Sequence, residues 1–169
     1  VFTHLGSAHI SNFENEDQLL NEKIKLFRHS EIIIFNGDNP ALKNKICEIY
    51  SDKKLVSFGS KQSNDLKIIQ NEKGKDIIAE YFGEIISFPA NNRNEATLNN
   101  ALCVIAVLKE LGYSNEKIVT KLNALRSVEM RLESVNGAKN NLIINDSFNL
   151  DLDSLVTAFQ FVKEYNKRQ

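Results

Sequence analysis

A short and almost wholly apolar segment does most to limit the folds open to this chain. Residues 31–36 read EIIIFN, a β-branched run typical of a strand that is buried on both faces of a sheet. The run ends in Gly37-Asp38-Asn39-Pro40, a turn that favours a helix with proline in its first turn. Strands that alternate with helices in this way pair in parallel through right-handed crossovers. The sequence therefore indicates an α/β fold.

The same alternation continues on both sides of this segment and then changes. Strands are predicted at residues 1–5, 31–36 and 54–58, with helices between them at about 14–29 and 40–50. Strand-like segments joined by short turns follow at 65–70, 76–82 and 84–88, which predicts a small antiparallel meander. Helices at about 95–111 and 114–125 come next, then strands at 131–135 and 142–144 and a last helix from about residue 151.

Composition excludes several functional classes. The 169 residues are enough for a sizeable core, and a formal net charge of -1 indicates neither a nucleic-acid-binding protein nor an acidic tail. Cys47 and Cys103 fall in predicted helices and are interpreted as small buried thiols of a reducing cytosol. No apolar run is long enough to span a membrane, so we expect a cytoplasmic protein. The chain starts at Val1 in the middle of a strand pattern, which predicts a piece of a longer protein.

Lys23 is the first candidate site residue, because helical spacing places it among apolar side chains. Leu19, Ile24 and Phe27 share its face of the predicted helix. In one interpretation the ammonium group reaches water from the border of that face. In the other, Lys23 and His9, which follows the first strand, face one crevice at the carboxyl edge of the sheet, where ligands bind and where imidazole can hold a metal ion.

Three further candidates have two interpretations each. Asp146 follows an apolar strand, where a carboxylate can accept ribose hydroxyls or can form local turn hydrogen bonds. Arg131 can bind phosphate or be a solvated surface residue. Asn100, in an otherwise apolar helix, is either a packing irregularity or a contact to a base.

Six segments in order resemble the Mur ligases of peptidoglycan synthesis, and the resemblance covers nearly the whole chain. They read FTHLGSAHISNF, NEKIKLF, IIIFNGDNP, EATLNNALCVIAVLKELG, MRLE and IINDSFN. Within the family, the chain is similar to members that join D-alanyl-D-alanine to UDP-N-acetylmuramoyl-tripeptide. The DSFNLDLDSL segment resembles the form of that ligase fused to a C-terminal alanine racemase.

The resemblance implies a role for each candidate. His9 and Lys23 would hold Mg²⁺ near the γ-phosphate of ATP, with Lys23 carbamylated by carbon dioxide. Asn100 would contact adenine, Arg131 the phosphates and Asp146 the ribose hydroxyls. The strand-end pair Asn36 and Asp38 also matches the family, but the resemblance implies no role for it.

The resemblance also implies a domain division and a reaction. Residues 1–126 would be the carboxyl-terminal half of the central ATP-binding domain, and residues 127–169 the first elements of a Rossmann-like C-terminal domain. ATP would phosphorylate the tripeptide carboxylate, and the amine of D-alanyl-D-alanine would then displace the phosphate. The 169 residues contain no GxxxxGK[ST] loop, so we expect this segment alone to be inactive. The alternatives are another Mur-type ligase, a folylpolyglutamate-type ligase, or a non-catalytic nucleotide-binding or scaffold module.

Overall fold

The computed structural model describes residues 1–5, 13–72, 74–89, 95–124, 132–148 and 152–166. The chain divides into two compact units, with the change between them at Ala124 and Leu125. His9 and Arg131 lie outside the described residues. None of the described helices combines the length and the apolar character needed to cross a lipid bilayer.

The first unit contains a five-stranded mixed sheet with strand order β1-β2-β3-β4-β5. Its strands are β1 (Ile32–Asn36), β2 (Lys54–Gly59), β3 (Leu66–Gln70), β4 (Ile77–Tyr81) and β5 (Glu84–Phe88). The first three strands are parallel, and β4 and β5 continue the sheet in antiparallel pairing. Phe2 forms a parallel bridge to Phe35 at the outer side of β1. The predicted meander therefore extends the parallel sheet, because β3 pairs with β2.

Among the described residues this unit has four α-helices: α1 (Glu16–Ile24), α2 (Pro40–Ile49), α3 (Glu95–Glu110) and α4 (Asn115–Asn123). Cys47 of α2 is exposed and Cys103 of α3 is half-buried, so the predicted burial of Cys47 is wrong. The side chains of Asn15 and Asn39 cap α1 and α2 by accepting main-chain N–H groups. At the end of α3, the amides of Gly112 and Tyr113 bond to the carbonyls of Lys109 and Leu108. These two bonds make Gly112 the left-handed residue of a Schellman motif, one residue beyond the predicted helix at about 95–111.

Two apolar cores lie on opposite faces of the sheet. In β1 the side chains of Ile33 and Phe35 enter one core and that of Ile34 enters the other, and their exposed fractions are 0%, 1% and 6%. The predicted burial of this strand on both faces is therefore confirmed. One core packs α1 and α2 against one face of the sheet, mainly at β1, and the other packs α3 and α4 against the opposite face. The α/β fold class is thus correct.

The described part of the second unit comprises a two-stranded antiparallel ribbon and one helix. The strands are β6 (Glu133–Asn136) and β7 (Leu142–Asn145), and the helix is α5 (Leu152–Asn166). A single 3₁₀ turn at Ala138–Asn140 connects the two strands. Several apolar side chains of this unit are exposed, among them Ile143 and Phe159.

Candidate functional site

A hydrogen-bond network centred on Asp38 joins the carboxyl ends of β1 and β2. The Asn36 side chain accepts the N–H of Asp38 at 2.9 Å and fixes the turn that follows β1. The Asp38 carboxylate then accepts four hydrogen bonds from the segment after β2. The donors are the Ser60 N–H (2.6 Å), the Ser60 hydroxyl (2.8 Å), the Lys61 N–H (2.9 Å) and the Asn64 amide (2.8 Å). One carboxylate therefore holds the two strand ends together.

The segment between β2 and β3, residues 60–65, is fixed at its far end as well. The Asp65 carboxylate accepts both the N–H and the hydroxyl of Ser57, at 2.8 and 2.7 Å. The Ser57 hydroxyl in turn accepts the N–H of Asp65 at 3.1 Å. The Lys43 ammonium group of α2 donates to the Ser63 carbonyl at 2.7 Å. We call residues 60–65 the edge loop.

Two glycines leave the space that this network occupies. A Cβ on Gly59 would lie 2.4–2.6 Å from the carboxylate atoms of Asp38, and Gly59 has φ +156°. A Cβ on Gly37 would lie 2.1 Å from Oδ1 of Asn64. That Asn64 oxygen is buried and has no hydrogen-bond partner among the described residues. An unpaired buried polar atom costs about 1–3 kcal/mol, so the edge loop keeps its position despite a local loss of stability.

The environment of Asp38 suits an ionised anchor better than a metal ligand. Burial raises the pKa of the Asp38 carboxyl, but the hydrogen bonds from Ser60, Lys61 and Asn64 together lower it further, and the net pKa is below its usual value. Four donors already occupy the carboxylate oxygens. Within the described ranges, no three His, Cys, Asp or Glu side chains form a cluster that could hold a metal ion.

Lys23 lies in the last turn of α1 and is half-buried. The predicted apolar face is confirmed, because Leu19, Leu20, Ile24 and Phe27 are all buried. The Ile24 carbonyl accepts the Tyr50 hydroxyl at 2.8 Å, so the carboxyl ends of α1 and α2 lie side by side. Because His9 lies outside the described residues, its convergence with Lys23 stays a prediction.

Asp146 follows β7 and is half-buried. Its Oδ1 accepts the N–H of Leu132 at 3.1 Å, and Leu132 has φ +49°, which is uncommon for a residue other than glycine. A local bond from the Ser147 hydroxyl to Asn145 Oδ1, at 2.7 Å, accompanies it. The carboxylate thus holds the residue that follows Arg131 in the sequence, and its Oδ2 has no hydrogen-bond partner within the described ranges.

Asn100 is exposed in the second turn of α3. Its side chain is therefore accessible to a ligand, and the contact to a base stays a prediction. Ser60, Lys61 and Asn64 were not expected at a site. Their bonds to Asp38 span 22 to 26 residues, so no local sequence pattern could have indicated them.

Comparison with known proteins identifies the family. A family model described as the Mur ligase middle domain matches residues 1–108, and the chain belongs to this family. One curated relative is the UDP-N-acetylmuramoyl-L-alanyl-D-glutamate–2,6-diaminopimelate ligase of Alkaliphilus oremlandii, strain OhILAs. It is 30% identical over 86% of this chain and 31% of its own length.

Solved structures support the fold. MurF from Acinetobacter baumannii matches with a TM-score of 0.78 and 23% identity, over 94% of this chain and 35% of that chain. MurF from Thermotoga maritima in complex with ADP matches with a TM-score of 0.71 and 21% identity, over 92% and 36%. The chain therefore spans about a third of the length of each of these three proteins.

Proposed function

We propose that these residues form part of an ATP-dependent amide ligase that acts on a UDP-N-acetylmuramoyl peptide. Membership of the Mur ligase family supports the reaction class. The observation that carries the nucleotide assignment is the placement of Asp146. Its carboxylate stands at the carboxyl end of a strand, with one oxygen bonded to Leu132 and the other available to a ribose hydroxyl.

The remaining roles complete this proposal. Asn100 contacts adenine, which its exposed position on α3 permits. Arg131 contacts the phosphates. His9 and Lys23, the latter carbamylated, hold Mg²⁺, which would neutralise charge on the transferring phosphoryl group. Support for ATP comes from the similar fold of the Thermotoga maritima protein, which was solved with ADP.

The proposed acceptor is D-alanyl-D-alanine, and a C-terminal alanine racemase remains a further prediction for the full-length protein. The relative from Alkaliphilus oremlandii is named for a different acceptor, 2,6-diaminopimelate, and it matches most of this chain. The second candidate function is therefore another ligation within the same family. A panel of amino acids and dipeptides, tested with the full-length protein and UDP-linked acceptors, separates the two.

The nucleotide assignment is tested by calorimetric titration of the full-length protein with ADP and with 2′- and 3′-deoxy-ADP. We expect Asp146→Ala to weaken ADP binding about tenfold, since a hydrogen bond to a charged group contributes about 1.5–3 kcal/mol. The same variant should bind ADP and at least one deoxy analogue almost equally, because the carboxylate partner of that hydroxyl is gone.

Asp52→Ala is the matched control, because Asp52 is an exposed aspartate in the turn before β2. It should leave ADP affinity unchanged. If Asp146→Ala binds ADP as tightly as the unsubstituted protein does, the ribose role of Asp146 is wrong.

A further inference from the structure

Two ammonium groups lie at the edge loop, that of Lys61 in the loop and that of Lys43 in α2, and neither forms an ion pair with a carboxylate among the described residues. Lys61 donates its side-chain N–H to the Asp38 carbonyl, and Lys43 donates to the Ser63 carbonyl, each at 2.7 Å. Each ammonium group has three N–H donors and spends one on a carbonyl oxygen. Both groups therefore keep donors and positive charge for another partner.

This arrangement differs from that of the paired lysines in the described residues. Carboxylates lie within 4.0 Å of the ammonium groups of Lys25, Lys54, Lys67, Lys75 and Lys109. Among the described residues, neither Lys43 nor Lys61 has such a neighbour. The nearby carboxylates of Asp38 and Asp65 are instead occupied by the N–H and O–H donors of the loop and β2.

Two features show that the edge loop is built in advance of any ligand. Asp38 holds Ser60 and Lys61 through their main-chain N–H groups, so the position of the Lys61 backbone is fixed. Asn64 is 3% exposed, and its Oδ1 has no hydrogen-bond partner in the part of the chain that the structure describes, so the fold tolerates an unfavourable polar burial to hold the loop there. The amino end of α2, which starts at Pro40, adds its positive partial charge to the same edge.

We propose that the edge loop binds an anionic group of a ligase substrate, a phosphate or a carboxylate, through Lys43 and Lys61, and that Asp38 positions Lys61. The proposal rests on the proposed function, because it assigns a further contact to the same reaction. Its location agrees with the rule that ligands of α/β sheets bind beyond the carboxyl ends of the strands. The anion belongs either to the nucleotide or to the UDP-linked peptide.

The test compares a Lys43→Gln, Lys61→Gln double variant of the full-length protein with the unsubstituted protein. The KM for ATP and the KM for the UDP-linked peptide are measured separately, at low and at high salt. We expect one of the two KM values to rise about tenfold at low salt, the size expected for a lost charged hydrogen bond, with kcat within about twofold. The difference should shrink at high salt, because ions screen exposed charges.

Controls separate binding from folding. Lys117→Gln removes an exposed lysine of α4 and should leave both KM values unchanged, whereas Lys61→Arg should restore most of the affinity. Asp38→Asn should raise the same KM, and Lys61→Gln should add little to it, because both changes act on one ammonium group. Unchanged KM values for both substrates in the double variant, with its thermal unfolding also unchanged, would overturn the proposal.

A separate readout covers the case in which the full-length protein hydrolyses no ATP with any UDP-linked peptide, which would defeat the proposed function. Inorganic phosphate and malonate are then titrated while the amide signals of Ser60 and Lys61 are followed by NMR. Saturable shifts that disappear in the lysine double variant support the anion site. Shifts that do not saturate, or that persist in the double variant, refute it.

Discussion

Gly59→Ala is the substitution that most directly probes the Asp38 network. The new Cβ would stand 2.4–2.6 Å from the carboxylate of Asp38, so the carboxylate must move and its four hydrogen bonds must weaken. Three of these bonds lie in exposed positions, and we assign the four together about 2–3 kcal/mol. Backbone strain at φ +156° adds about 1–2 kcal/mol. The expected loss in the free energy of unfolding is about 4 kcal/mol.

The assay is urea-induced unfolding followed by circular dichroism, with Gly112→Ala as the matched control. Gly112 has φ +80°, but a Cβ there would meet no atom within 4 Å, so its cost is strain alone, about 1 kcal/mol. In an Asp38→Ala background the clash is absent, and Gly59→Ala should then cost about as much as the control. Equal losses for Gly59→Ala and Gly112→Ala in the unsubstituted background would refute the reasoning.

Three further results are expected from the same unfolding assay. Folding lowers the pKa of Asp38, so its carboxylate contributes fully to the free energy of unfolding at pH values above its unfolded pKa of about 3.9. This contribution is lost as the pH falls through the folded pKa, and Asp38→Asn should flatten that acid dependence. Tyr81→Phe removes the hydroxyl that donates to Glu110 and should cost about 1–2 kcal/mol; a loss near zero would show that water replaces the bond. Leu102→Ala, at a fully buried position, should cost about 2–5 kcal/mol, whereas Val104→Ala, 37% exposed, should cost less than about 1 kcal/mol.

The sequence predicts the apolar framework well, because burial produces a local pattern. The run at Ile33, Ile34 and Phe35 required a strand covered on both faces, and both cores meet there. The stop of α3 at Gly112 was predictable because only a residue tolerant of positive φ suits that position. The predicted end of α1 was less accurate. The α-helix ends at Ile24 and a 3₁₀ turn follows at Lys25–Phe27, although the apolar pattern continues beyond Ile24.

Features that depend on tertiary contact were not predictable in this way. The Asn-x-Asp pair after β1 was noted without a role, since the donors to Asp38 arrive from the next strand connection. Phe82 lies in the hairpin between β4 and β5 and has φ +46°, a conformation that is unfavourable for an aromatic residue. The local sequence does not indicate this conformation. The accessibility of Asn100 likewise follows from how α3 is turned on the sheet rather than from its apolar neighbours.

The position of the Asp38 network explains why stability and the proposed anion binding should be linked in this protein. Main-chain N–H groups just beyond the ends of parallel strands have no hydrogen-bond acceptor in the sheet. Side chains or water must therefore accept their hydrogen bonds. Here a single carboxylate accepts the N–H groups of Ser60 and Lys61 at the edge where α/β sheets bind ligands. An apolar side chain of similar size could fill the space, but it would leave those donors unpaired and release the edge loop. Substitutions at Asp38 should therefore change stability and substrate affinity together, whereas substitutions in the two cores should change stability alone.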